Sequence, residues 1–218
     1  MKIVPISKEM HLKWSYTGLL HYRHTQKDSI VPVLIAEIGR LVSTNPIIFI
    51  EDKGNIGLYS LQSCFPESNL MINTQGLWIN DYIPARYRSL PFVLASEEKD
   101  TEKKDKILCY VEDLQCVAKK FNKVSTQIFD KNGELSGDMQ KVFEFLQSIE
   151  QNELLTQKAV KSIQKADLLQ DWTLSIKLSD GEKNMTGIKI IDIEKLKALP
   201  GDDLEMLNKS GGLDICFA

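Results

Sequence analysis

The sequence predicts an α+β fold of small antiparallel sheets and hairpins with helices packed on them, and three observations carry that expectation. Residues 47–62 and 172–190 each hold two short strand-like runs around turn chemistry, the pattern of a hairpin. Met139, Val142, Phe143, Leu146 and Ile149 recur instead at the period of an amphipathic helix. At 218 residues, 43% hydrophobic and 26% charged, the chain can bury one substantial core or divide into two small lobes.

Along the chain, Val33, Leu34, Ile38, Leu41 and Val42 fall at helical spacing, so a helix is expected over 31–42, with Pro32 in its first turn. Pro46 biases Asn45 away from helix, and the β-branched run Ile47–Ile50 starts a strand. Asp52, Lys53, Gly54 and Asn55 turn it into a return strand through Gln62. Residues 69–92, aromatic and punctuated by Gly76, Pro84 and Pro91, read as irregular structure linking short strands. Residues 97–106 carry five acidic and four basic side chains with no apolar member, which suits an exposed linker. It would separate an N-terminal α+β lobe, 1–96, from a C-terminal one, 107–218, unless the whole is one continuous domain.

Beyond it, Ile107–Val111 reads as a strand, and the amphipathic helix is followed by a second one over about 156–168, with Thr156 as its N-cap. Trp172, Leu174, Ile176 and Leu178 alternate with polar residues before Asp180–Gly181 turns the chain into a returning strand. Asp192 can cap a short helix through Leu199, and Gly211–Gly212 can end the next one.

A net charge of −3, from 27 basic and 30 acidic residues, supplies no global field for nucleic acid. No apolar run reaches the ~20 residues of a membrane span, so membrane insertion is not expected. The first residues lack a signal-peptide core, and the expected location is the cytoplasm. Cys64, Cys109, Cys116 and Cys216 form no CxxC pair and read as reduced thiols.

A series of strings resembles the SapC family, proteins named from a surface-layer (S-layer) export locus. They are His11, Ala36-Glu37, Asn45-Pro46-Ile47-Ile48-Phe49, Asn69-Leu70, Gly76 with Trp78, Tyr82-Ile83-Pro84-Ala85, and Arg88 with Pro91-Phe92. The second half adds Ile128-Phe129, Asn132-Gly133-Glu134, Asp180-Gly181, Gly187, Ile191-Asp192, Leu196, Leu199 and Gly212-Leu213. Ser89 and Leu90 depart from the pattern, replacing an arginine and an aromatic. The resemblance implies a context of S-layer protein export or peptide modification, and no particular reaction.

His11, Glu37, Trp78, Tyr82 and Arg88 lie on those strings and form the candidate ligand-binding group. Arg88 would hold a carboxylate and the rings would cover apolar parts of a peptide. The alternative is a packed core in which Glu37 pairs with Arg88 and the rings fill space. His21 and His24, three residues apart, offer a metal site only with a carboxylate such as Asp28 or Glu37, and no cofactor is expected. No Gly-x-Ser-x-Gly elbow or phosphate-binding loop is present. The expectation is a non-catalytic accessory or binding protein that recognises a peptide or protein partner. An enzyme using a His/Glu/Arg pocket on a peptide or amino-acid-like substrate is the alternative. A third reading makes 78–92 an interface in a homo-oligomer.

Overall fold

The computed structural model describes residues 2–96, 106–119, 124–179 and 181–218. Its elements in chain order are β1 (Ile3–Pro5), α1 (Lys8–His11), β2 (Ser15–Tyr16), β3 (Ile30–Pro32), α2 (Ile38–Leu41), β4 (Ile47–Asp52), β5 (Asn55–Leu61) and α3 (Ala85–Arg88). They continue with β6 (Phe92–Ser96), β7 (Lys106–Val111), β8 (Val117–Ala118), β9 (Thr126–Gln127), α4 (Gly137–Lys165), β10 (Leu169–Leu178), β11 (Gly181–Ile191), α5 (Ile193–Lys197), α6 (Gly201–Ser210) and α7 (Gly212–Cys216). The fold is α+β. All but Lys106 of the charged stretch 97–106 lies outside the described residues.

Every sheet is antiparallel: β10-β11-β4-β5-β3, β1-β7-β6 and β8-β2-β9. In the five-stranded sheet β11 joins β4 at Ile188–Ile50 and Lys189–Phe49, so strands from both halves of the sequence share one sheet. Strand alternation divides β4 between two faces. Phe49 joins Val31, Leu58, Ile163 and Leu207 in the main core under α4 and α6, whereas Ile48 and Ile50 pack with Ile188, Trp172 and Leu174 on the other side.

The spine is α4, whose 29 residues span about 43 Å at 1.5 Å per residue. Its second half packs Ala159, Val160 and Ile163 into the main core, and its first half packs Met139 and Leu146 against Phe92, Leu108 and Tyr110 of the smaller sheet. Between the two cores, Ile149 and Phe145 meet Leu34 and Ala85. Each fully buried aliphatic chain contributes about 1.5–3 kcal/mol.

Two sequence expectations are corrected. The single helix over 31–42 is instead strand β3, a 3-10 turn at Ile35–Glu37 and the one-turn α2. Val31 pairs with Ser60 of β5, and that cross-strand partner decides its conformation over the helical spacing. The two helices expected around Thr156 are one, since no glycine or proline interrupts residues 138–165. Thr156 sits inside the helix, where its hydroxyl donates to the Asn152 carbonyl (2.7 Å) and accepts from the Ile35 N–H (2.9 Å). The caps at the C-terminal end are as expected. Asp192 accepts from the N–H groups of Glu194 and Lys195, both at 3.1 Å, and Gly211 takes the left-handed conformation (φ 77°) that closes α6.

Candidate functional site

The junction between the two cores holds a buried carboxylate. Glu37 is 3% exposed and enters from the 3-10 turn that leads into α2. Its Oε2 accepts from the Leu34 N–H (3.0 Å), and its Oε1 accepts from the Ala85 N–H (2.5 Å) and from the Tyr82 hydroxyl (3.0 Å). Ala85 opens α3 after Pro84, so its N–H has no partner within the helix and Glu37 supplies one. A carboxylate with three donors is a stable buried group, because each donor replaces hydration it lost.

Tyr82 passes this anchoring outward. Its hydroxyl accepts from Arg88 Nη2 (2.8 Å) while donating to Glu37, and Arg88 Nε donates to the Ile83 carbonyl (2.8 Å). Burial, then the Glu37 charge, raise the Tyr82 phenol above its usual range, which keeps the proton needed for donation on the oxygen. The Arg88 guanidinium lies 5.0 Å from the Tyr82 ring centre and 5.1 Å from that of Phe145, and Arg40 approaches the same tyrosine ring at 5.4 Å. Two guanidinium groups therefore stand against the ring whose hydroxyl donates to the buried carboxylate. The described partners of Arg88 include no carboxylate in direct contact.

Arg88 lines an open cavity of about 180 Å³ together with Tyr16, Tyr22, Pro91, Phe92 and Phe145. Tyr22 is held by its N–H donating to the Gly76 carbonyl (2.7 Å). Gly76 has φ 85°, and a Cβ there would stand 2.4 Å from Arg23 Cγ, so only glycine fits this crossing. Trp78 braces the cluster from behind. Its Nε1–H donates to the Tyr82 carbonyl (2.9 Å), and its ring meets Tyr22 and Tyr87 edge-on at 5.9 and 5.7 Å.

Of the five candidate residues, Glu37, Trp78, Tyr82 and Arg88 thus come together. Glu37 and Arg88 are linked through the Tyr82 hydroxyl rather than by a direct ion pair. His11 lies elsewhere: it is 0% exposed, and its ring packs edge-on against Trp14 and Tyr110 at 4.6 and 5.7 Å. Its Nδ1 meets the Ser7 main chain at 3.2 Å, and its Nε2 has no hydrogen-bond partner among the described residues. His21 is exposed, and His24 is half-buried with burial lowering its pKa against the opposing pull of Asp28. No group of three or more histidine, cysteine, aspartate or glutamate side chains is placed to hold a metal among the described residues. The four cysteines are free thiols, and burial raises Cys109, Cys116 and Cys216 away from nucleophilic character.

Sequence reasoning missed Arg40, Tyr16, Tyr22 and Phe145. Arg40 stands three residues after Glu37, a spacing that places both on one helical face and could have drawn attention to it. The three rings are delivered by β2, the loop after it and α4, and no local pattern marks them.

The family model for SapC matches residues 6–218. The chain belongs to the SapC family. The match takes in both cores and the whole Glu37–Tyr82–Arg88 arrangement of this SapC protein. No curated protein and no solved structure matches the chain. No helix among the described residues is long and apolar enough to cross a membrane.

Proposed function

We propose that this SapC protein is a non-catalytic accessory or binding protein of S-layer protein export or peptide modification, and that it takes a carboxylate-bearing residue of a peptide or protein partner at Arg88. The carrying observation is the charge arrangement: Arg88, which lines a ring-rich cavity, is tied to the buried Glu37 carboxylate through the Tyr82 hydroxyl, and Arg40 stands against the same tyrosine ring. An arriving carboxylate would complete that balance with charge-assisted hydrogen bonds to a guanidinium already fixed at Nε and Nη2. The volume limits the guest. At about 180 Å³ the cavity is below the ~300–1,000 Å³ of sites for drug-sized ligands, so it suits one residue or chain end.

Isothermal titration with short peptides ending in phenylalanine, as the free acid and as the C-terminal amide, tests this. The acid is expected to bind at least about tenfold tighter than the amide, with the preference abolished in Arg88→Gln. Equal binding of acid and amide to the wild type, or an acid preference that survives Arg88→Gln, would remove the proposal's basis.

A further inference from the structure

The outermost strand of the five-stranded sheet is β10, ten residues long, and among the described residues no strand lies beyond it. An edge of this length exposes a ladder of unused main-chain donors and acceptors. Its side chains alternate: Trp172, Leu174 and Ile176 are half-buried, whereas Asp171, Thr173, Ser175 and Lys177 are exposed. The Asp192 N–H donates to the Leu168 carbonyl (2.8 Å), and the register continues through Gln170–Ile190 and Trp172–Ile188. Main-chain groups of even-numbered residues therefore face β11, and those of 171, 173, 175 and 177 face outward. The irregularity after Trp172 inserts its extra residue into β11 beside Gly187 (φ 78°), so the outward set on β10 is unbroken.

We infer that this edge pairs with the same edge of a second copy of the chain, antiparallel about a twofold axis through Leu174. In that register residue numbers across the interface sum to a constant. Thr173 faces Ser175 of the second copy, Trp172 faces its Ile176, and Asp171 faces its Lys177, and each relation occurs twice by symmetry. The outward-facing residues form the hydrogen-bonded pairs and the apolar ones extend a single stripe, as both faces of the strand require. Sliding the pairing by two residues in either direction sets Asp171 against Ser175 or Ser179 and loses both opposite-charge pairs. Asp171, which also accepts from Lys189 Nζ within its own sheet (2.7 Å), and Lys177 are the charges that would blunt this edge against arbitrary strands, and they are complementary in this one register. The hairpin also runs on past β4, which β11 joins only at Ile188 and Lys189.

Sedimentation velocity over a dilution series tests the pairing with wild type, Ser175→Pro, Lys177→Asp and the reversal Asp171→Lys/Lys177→Asp. The wild type is expected as a two-chain species that dissociates on dilution. Ser175→Pro removes one outward N–H and no internal one, so it should run as a single chain with an unchanged circular dichroism spectrum. Lys177→Asp opposes like charges twice and should raise the dissociation constant roughly tenfold, and the reversal should recover most of that loss. A wild type that stays a single chain throughout overturns the inference and leaves the edge to an extended peptide. Full-strength association in Lys177→Asp overturns it as well, by placing the contact elsewhere, and that variant and the reversal decide the matter if Ser175→Pro does not fold.

Discussion

Glu37 and His11 are both buried polar side chains near the start of this protein, and their surroundings treat them in opposite ways. Each Glu37 oxygen accepts hydrogen bonds, and the three donors come from two segments: Leu34 before the turn, and Tyr82 with Ala85 in the stretch that opens α3. His11 has contacts with Ser7 on its own turn and with two rings, and among the described residues one of its nitrogens has no partner. The difference teaches which group organises its neighbourhood. Glu37 ties together segments distant in sequence and carries its influence to Arg88 at the surface, whereas His11 fills space in the smaller core.

The strongest way to break this comparison is Glu37→Ala, which strands two buried N–H groups and the Tyr82 hydroxyl. It should cost about 3–5 kcal/mol in urea unfolding, and a loss near 1 kcal/mol would deny Glu37 its organising role. Thr156→Val tests the neighbouring tie, because it orphans the Ile35 N–H just before Glu37 and should cost about 1–2 kcal/mol. His11→Leu should change stability by no more than about 1 kcal/mol, since an apolar chain of similar volume suits its ring-lined setting. A loss as large as that of Glu37→Ala would erase the contrast.

His24 gives the smallest and most specific effect. Burial lowers its pKa below the ordinary 6.5, so the unfolded chain takes up a proton at a higher pH than the folded one. This contribution is fully present above pH 6.5 and is lost as pH falls from 6.5 towards the lowered folded value. His24→Gln should therefore flatten the stability–pH curve below pH 6.5, and an unchanged slope would show that His24 is not its source.

Legibility in the sequence followed the range of the interactions. The β4–β5 turn at Asp52–Asn55, the Asp192 cap and the Gly211 stop are written in adjacent residues, and they were readable. Val33 to Val42 satisfied a helical spacing, but the pairing of Val31 with Ser60 lies 29 positions away and outweighed it. Thr156 looks like a cap in isolation and is a mid-helix hydroxyl because residues 138–165 run on without a glycine or proline, and there it accepts from the Ile35 N–H. Glu37, Tyr82 and Arg88 were recognisable as a set on the family strings, yet their order of connection, with Tyr82 between the charges, required the three-dimensional arrangement. Tyr22 and Phe145 reach the cavity from the loop after β2 and from α4, and spacing within either segment carries no record of that meeting.

The most direct test is the affinity of Tyr82→Phe for the free-acid and amide peptides, measured beside the wild type. Removing that one hydroxyl should leave the fold intact, release Arg88 Nη2 from its anchor, and reduce the preference for the acid by about tenfold. If Tyr82→Phe keeps the full wild-type preference, Glu37 does not position Arg88 through Tyr82, and the link between the buried carboxylate and the binding site is wrong.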